Sequence, residues 1–472
     1  MVPRQIVILV VAALGARGVF AQSAALDSVD RFVQAERTRQ RIPGMSIAIL
    51  RGDSIVLARG YGLASAELNV PATERTVYQS GSVAKQFTSA AIMLLVQDGR
   101  LRLGDTITRY LPEGPAWWHG ITIRQLLTHT SGIRDYADST LDLRRDYTED
   151  QLVKLAGSLP ADFAPGTHWS YSNTGYVLLG IIIHRITGQF YGDVLRERVF
   201  GPLGMSTTRV ISEAEIIPNR AAGYELVNDT LRNQSWVSPS LNTPADGSLY
   251  FTVLDLAHWA VGLNHARVPD QASLDASWTP VRLSDGGTFP YGFGWSLVTQ
   301  RGHPRIGHGG SWQGFRASIQ RYPEYGLTVI VLANLAQAQP EAISYGIAGI
   351  LEPALAAPHL LPAGALAGAP GPPQPVPDAL RRIAAGDSTT LTPGFRRSLL
   401  PSFQEALGRA VGRATTWTSP GCDDVTSRAI WRYGSSVARI CYANSVTGTA
   451  GHLYGVLYTS SGQVAGLDGY GF

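Results

Sequence analysis

Apolar positions along the chain recur in two rhythms, one helical and one alternating, and the places where the rhythm changes mark its elements. Leu26 to Gln40 reads as an amphipathic helix closed by Ile42-Pro43-Gly44. Met45 to Leu50 and Ile55 to Tyr61 are β-rich runs on either side of Arg51-Gly52-Asp53-Ser54, the pattern of a hairpin. Ser82 to Gln97 predicts a long, mostly apolar helix, and Ile121 to Gly132 another with a glycine stop, followed by a polar, aromatic loop around Asp135-Tyr136. After Pro165-Gly166, the stretch Trp169 to Tyr176 precedes helical periodicity from Val177 to Arg185, which places Tyr171 and Asn173 at a helix entrance. Strand-like runs return at Ile306 to Gly309, Gly314 to Tyr322 and Leu327 to Asn334, with Pro323-Glu324-Tyr325-Gly326 as a turn and Gln339 to Leu351 as a closing helix. Strands at both ends of a helical insert predict an α+β domain in which N- and C-terminal segments share one antiparallel sheet flanked by helices.

Both ends of the chain break from this pattern. Residues 1–21 carry Arg4, an apolar run from Ile6 to Leu14 and small residues before Gln22, as a cleaved secretory signal does. The expected organisation is therefore a signal peptide over 1–21, a main domain over 22–356, a Pro-rich semi-rigid linker over 357–377 and a small α+β domain over 378–472. Within the last part, Asp378 to Ala385 and Phe395 to Val411 read as helices. Ala429 to Tyr433, Val437 to Tyr442, Leu453 to Thr459 and Gln463 to Leu467 read as strands. The chain's two cysteines, Cys422 and Cys441, fall here, and in an oxidising compartment they read as one disulfide rather than a catalytic or metal pair.

Composition narrows the function classes. With 472 residues, 44% hydrophobic and 16% charged, the chain has the make-up of a soluble globular protein of two or more domains. A net charge of +3 without any basic block argues against nucleic-acid binding. Beyond the leader no apolar run approaches the ~18 residues of a membrane span, so the mature chain is expected to be exported, periplasmic or extracellular, without a membrane span.

The candidate chemistry starts at Ser82-Val83-Ala84-Lys85. One helical turn apart, the two functional side chains share a face, so serine is placed to act as nucleophile and lysine as its base once the ammonium loses its proton. Lysine usage sharpens this: of 39 Lys and Arg residues only Lys85 and Lys154 are lysine, and only lysine can titrate. On the pair alone, a helix N-cap with a snorkelling lysine fits equally well.

Two further motifs lie downstream, Tyr171-Ser172-Asn173 and His308-Gly309-Gly310. In order and spacing the three resemble the penicillin-recognising serine hydrolases: class C β-lactamases, D-alanyl-D-alanine carboxypeptidases, D-aminopeptidases and related esterases. Ile123 to Gly132, Pro202-Leu203-Gly204-Met205 and Tyr291-Gly292-Phe293-Gly294-Trp295 extend the resemblance over roughly residues 27 to 355. It implies a β-lactamase/transpeptidase-like fold, and an acyl-enzyme on Ser82 with Lys85 and Tyr171 as the proton-handling pair. It further implies Asn173 on Lys85 or a substrate amide, and an oxyanion site between the backbone N–H groups of Ser82 and Ser311. Gly309 and Gly310 would let a substrate lie along the strand edge.

His308 departs from the lysine of the Lys-Thr-Gly pattern. As an imidazolium it would bind a substrate carboxylate only below a pKa near 6.5, which favours peptidase or esterase activity over a dedicated β-lactamase. The other histidines show no metal-ligand spacing, so neither metal nor cofactor is expected, and a Gly-x-Ser-x-Gly elbow is absent. The expected partner is a small-molecule or peptide substrate; oligomeric state is not legible. The competing reading is a non-catalytic module that binds cell-wall peptides, which would have no need of a serine with its base.

Overall fold

A computed structural model describes residues 24–138, 141–366, 370–428, 430–447 and 450–471. The leader-like segment 1–21 lies outside the described residues. Helix α1 (24–39) leads into the hairpin of β1 (Gly44–Arg51) and β2 (Ser54–Ser65), and β3 (Val70–Pro71) pairs with the end of β2. Helix α2 (Lys85–Gln97), α3 (Asn173–Thr187) and α4 (Val253–Asn264) belong to the helical insert. The chain then returns through β4 (Ser296–Gln300), β5 (His303–Trp312), β6 (Phe315–Tyr322) and β7 (Leu327–Ala333) to α5 (Pro340–Leu351).

These strands make one seven-stranded sheet in the order β4-β5-β6-β7-β1-β2-β3. The two ends of the domain meet at its centre, where β1 and β7 pair antiparallel from Met45↔Ala333 to Arg51↔Leu327. Adjacent residues of these strands point to opposite faces, and both faces are covered. Ile47, Ile49, Val329 and Val331 pack with Val33, Ile343 and Ile347 on the α1/α5 side. Ala48, Leu50, Ile330 and Leu332 pack with Phe87, Ile92 and Trp259 on the α2/α4 side. The strands therefore read as unbroken apolar runs. Helix α2 is buried from Lys85 to Leu95, which makes it the axis of the second layer.

The C-terminal part has its own cores. Helices α6 (Val376–Ala384) and α7 (Pro401–Arg413) pack on a four-stranded antiparallel sheet of β8 (Thr416–Asp424), β9 (Arg439–Thr447), β10 (Ala450–Tyr458) and β11 (Val464–Gly471). The helix expected from Phe395 to Val411 is two helices, Pro393–Ser398 and Pro401–Arg413. Pro401 removes a backbone donor and holds Leu400 extended, at φ −87° and ψ 145°. Strand β8 went unread in the sequence; it carries Cys422 opposite Cys441 of β9, and the two form a disulfide. Within the stretch expected as a semi-rigid linker, Leu366 N–H donates to Pro420 O at 2.6 Å.

The C-terminal part sits against the outer edge of the main sheet. Arg301 forks onto Asp423, Arg397 pairs with Asp285, and the backbone N–H of Tyr433 donates to Thr288 O at 3.2 Å. Among the described residues no helix is long and apolar enough to cross a membrane.

Candidate active site

Ser82 lies on the 3-10 turn Gly81–Ala84, and the α-helix proper begins only at Lys85. No side chain caps either start, so Ser82 is not the helix N-cap that its position in the sequence also allowed. Lys85 Nζ donates to Ser82 Oγ at 3.1 Å, to Asn173 Oδ1 at 2.7 Å and to the backbone carbonyl of Asp246 at 2.6 Å. The amine is buried, and it sits 4.9 Å from the centroid of the Tyr171 ring. Burial pulls its pKa from 10.5 down to about 8, against the charges of Asp246 and Asp135, which act in the opposite direction. With such a pKa roughly a tenth of the lysine is neutral at pH 7, against roughly three parts in ten thousand for an ordinary lysine.

Asn173 is the first residue of α3, whose N-terminus is capped by Ser172 Oγ accepting from Gly175 N–H at 3.2 Å. One oxygen of Asp135 accepts from the backbone N–H of Asn173 at 2.7 Å and from its Nδ2 at 2.9 Å. That fixes the amide with its oxygen toward Lys85. Asp246 stands on a segment pinned to the Ser82 turn and α2: Ser80 Oγ donates to Gly247 O at 2.9 Å and Thr88 Oγ1 to Ala245 O at 2.6 Å. Its carboxylate accepts from Tyr136 Oη at 2.8 Å. Burial raises the pKa of both Asp246 and Asp135.

The Tyr171 hydroxyl is buried without a well-formed hydrogen bond. Burial pushes this phenol well above 10, and Ser82, the group that acts to lower it, does not offset the effect. Its ring lies 4.2 Å, centroid to centroid, from that of His129. His129 begins a chain of hydrogen bonds whose directions are all determined. Ser172 N–H donates to His129 Nδ1 at 3.1 Å, so His129 carries its proton on Nε2 and donates to Tyr291 Oη at 3.2 Å. Tyr291 in turn donates to His308 Nε2 at 2.9 Å, and His308 Nδ1–H donates to the carbonyl of Gly309 at 2.6 Å. The chain ties the Tyr-x-Asn loop to the His-Gly-Gly strand, and both imidazoles in it are neutral. Burial holds His129 well below 6.5 and His308 at about 4.

This revises the expectation for His308. Burial pulls the pKa of the ring down to about 4, which makes it a buried, neutral link in the chain rather than the imidazolium that an unperturbed pKa would give. The reason for the glycines also changes. A Cβ on Gly310 would lie 2.0 Å from Ser80 O, one on Gly81 2.2 Å from Ser311 N, and one on Gly309 1.6 Å from Glu341 Oε1. Strand β5 and the Ser82 turn meet backbone to backbone, and Glu341 at the start of α5 fills the space beside Gly309.

Ser82, Asn173 and Ser311 line one cavity, Lys85 is tied to the first two by its hydrogen bonds, and Tyr171, His308 and Gly309 line a neighbouring one. A cavity of about 460 Å³ opens over Ser82, with Asn173, Asp246, Ser311 and Trp312 in its walls. Asp135, Asp246, His129 and Tyr291 were not assigned to the site from sequence. His129 and Tyr291 fall in the two words of the resemblance, Ile123 to Gly132 and Tyr291 to Trp295, and that is the signal that would have found them. Among the described residues no three His, Cys, Asp or Glu side chains form a metal-binding group.

Such a sheet and insert define a penicillin-recognising serine hydrolase. Residues 29–349 match the family model described as Beta-lactamase, and the chain belongs to that family. It is 32% identical to penicillin-binding protein 4* of Bacillus subtilis (strain 168) over 306 residues, 61% of this chain and 67% of that protein. It is also 30% identical to Protein flp of Staphylococcus aureus (strain MW2) over 65% of this chain and 28% identical to a D-aminopeptidase of Brucella canis over 66%, and the chain spans 60% to 67% of the length of these three relatives. In fold it is similar to a D-amino acid amidase of Ochrobactrum anthropi SV3 solved with D-phenylalanine, at 26% identity and a TM-score of 0.60, covering 70% of this chain and 98% of that one. An octameric penicillin-binding protein homologue from Pyrococcus abyssi, at 23% identity and a TM-score of 0.64, shares the fold over 94% of this chain and 96% of its own.

Proposed function

We propose that the protein is an exported serine hydrolase that cleaves a small amide, or an ester, through an acyl-enzyme on Ser82. One observation carries this reading. Of the three acceptors around Lys85 Nζ, Asn173 Oδ1 and Asp246 O have no proton to give, so a neutral Lys85 keeps its two N–H groups on them. The lone pair then falls on the third direction, toward Ser82 Oγ at 3.1 Å. Lysine so held is a directed base rather than a buried charge.

The proton economy follows. Ser82 Oγ bonds to the carbonyl carbon of the substrate and passes its proton to Lys85, while the oxyanion is held by the backbone N–H groups of Ser82 and Ser311. Tyr171, whose phenol stays protonated, donates to the leaving nitrogen or oxygen as the acyl bond breaks, and recovers the proton from the Lys85 ammonium. Water then attacks the acyl-enzyme by the same route in reverse. The likeness to a D-amino acid amidase supports amides as first substrates. A neutral His308 gives a penicillin carboxylate no cation, which supports peptidase or esterase activity over a dedicated β-lactamase. Export rests on the leader-like residues 1–21 and on the disulfide.

The test is intact-mass detection of an adduct from a fluorophosphonate and from p-nitrophenyl acetate. One acyl group on wild type and none on Ser82→Ala is the expected result. Absence of any adduct on wild type overturns the reading and favours a cell-wall peptide binder.

A further inference from the structure

A second cavity, of about 410 Å³, has Tyr171 in its wall. Tyr171, His308 and Gly309 line it together with residues of the C-terminal part, whereas Ser82 and Asn173 line the first. We propose that this second cavity is the subsite for the leaving group, and that its outer wall, supplied by residues 432–433 and 467–469, restricts it to a compact amine or alcohol about the size of one amino-acid residue.

The inference rests on the hydrolase reading above and on four features of the cavity. The first is its position. In the proposed reaction the bond from the acyl carbon to the leaving group breaks as Ser82 Oγ bonds to that carbon, and the proton reaches the leaving atom from Tyr171. The leaving group must therefore lie on the Tyr171 side. The second is access. Pairing of the edge strand β4 ends at Ser296↔Gly307, so the outer edge of β5 at Gly309 faces the cavity and not another strand of the sheet.

The third is the character of the walls. Trp169 stacks on Phe289 at 3.9 Å and 12°, Phe289 meets Tyr433 at 5.8 Å, and Tyr433 meets Phe395 at 5.4 Å. This aromatic series runs from beside Tyr171 into the C-terminal part, and Trp169, Phe289 and Tyr433 of it line the cavity together with the polar side chains of Arg305, Gln320 and Glu341. The fourth is that the outer wall is built in. Arg432 pairs with Asp468 at 2.7 Å with side chains only 5% and 10% exposed, and both residues line the cavity. The volume is at the small end of ligand pockets, ~300–1,000 Å³.

Two substitutions act on size in opposite directions. Tyr433→Ala removes a ring from the wall. Gly469→Phe adds one where an added side chain meets nothing within 4 Å. The experiment measures kcat/KM for D-phenylalanine amides with one acyl part and leaving groups of rising size: ammonia, methylamine, glycine amide, phenylalanine amide and a dipeptide amide. Fluorophosphonate labelling of Ser82 is followed in parallel.

Tyr433→Ala is expected to improve the two largest leaving groups about tenfold relative to ammonia, and Gly469→Phe to depress them about tenfold relative to ammonia. Should Tyr433→Ala fail to fold, Gly469→Phe decides alone. Wild-type-like size profiles in a Gly469→Phe protein whose Ser82 still labels overturn the subsite and leave the hydrolase reading standing. Loss of labelling in wild type overturns that reading instead.

Discussion

A single carboxylate oxygen of Asp135 holds Asn173 twice, by its backbone N–H at 2.7 Å and by its side-chain amide at 2.9 Å. The second bond decides which end of the Asn173 amide faces Lys85, and so which direction is left for the lysine's lone pair. The charge of Asp135 also works against the burial that lowers the Lys85 pKa. Asp135→Asn therefore has two expected effects. Loss of a charged acceptor that orients Asn173 should reduce kcat/KM by about tenfold or more. Removal of the negative charge should move the alkaline midpoint of the rate to lower pH. Steady-state kinetics from pH 6 to 10 separates the two, and a slower enzyme with an unmoved midpoint would restrict Asp135 to holding the loop.

For wild type, the base is active in its unprotonated form. With a folded pKa of about 8, kcat/KM for an uncharged ester should rise with pH through that value and level off above it. Lys85→Arg retains the charge but cannot give it up, and should lose on the order of a thousandfold or more in turnover. A rate that is flat from pH 6 to 9, or an arginine variant near wild-type rate, would mean that Lys85 only supports the site electrostatically.

His308 leads to a prediction opposite to the one its place in the sequence invites. A ring with a pKa of about 4 does not change charge between pH 5.5 and 8.5. A matched pair of substrates, one with an ester and one with a free carboxylate on the leaving side, should therefore show the same pH dependence over that range, set by Lys85 alone. Selective loss of the carboxylate substrate near pH 6.5 would show that the imidazole is charged in the complex.

The parts of this molecule that were legible in the sequence are those whose cause is local. Strands β1 and β7 are covered on both faces and so appear as unbroken apolar runs. Periodicity marks α3 from Val177 to Arg185, but not its start at Asn173, capped by Ser172. Ser82 and Lys85 are neighbours by helical spacing. The supports of the site have no such signature. Asp246 reaches Lys85 across 161 residues, and Asp135 reaches Asn173 across 38. Either aspartate, read alone, is an ordinary loop residue. His308 carries a motif, but its protonation depends on a burial that no motif encodes. The break at Pro401 was readable in principle, since a proline inside a helical pattern is itself a boundary signal.

The chain from Ser172 through His129, Tyr291 and His308 to Gly309 has a backbone group at each end and no choice of direction along it. Tyr291 is the only member that both accepts and donates between side chains, so Tyr291→Phe cuts the chain at its middle. It leaves the Nε2–H of His129 without an acceptor and Nε2 of His308 without a donor, each buried. Such groups cost about 1–3 kcal/mol apiece, so a drop of several degrees in Tm is expected. The effect on catalysis should follow from geometry, because the His129 ring that packs 4.2 Å from Tyr171 loses its second anchor. A fall in kcat of about tenfold, with KM little changed and the alkaline midpoint still near 8, is the expected pattern. Combining Tyr291→Phe with His129→Phe should cost less than the sum of the two single changes, since the first has already broken the link that the second removes. Strict additivity in a double-mutant cycle would mean that the loop and the strand are held independently, and that the hydrogen bonds between them carry no positioning role.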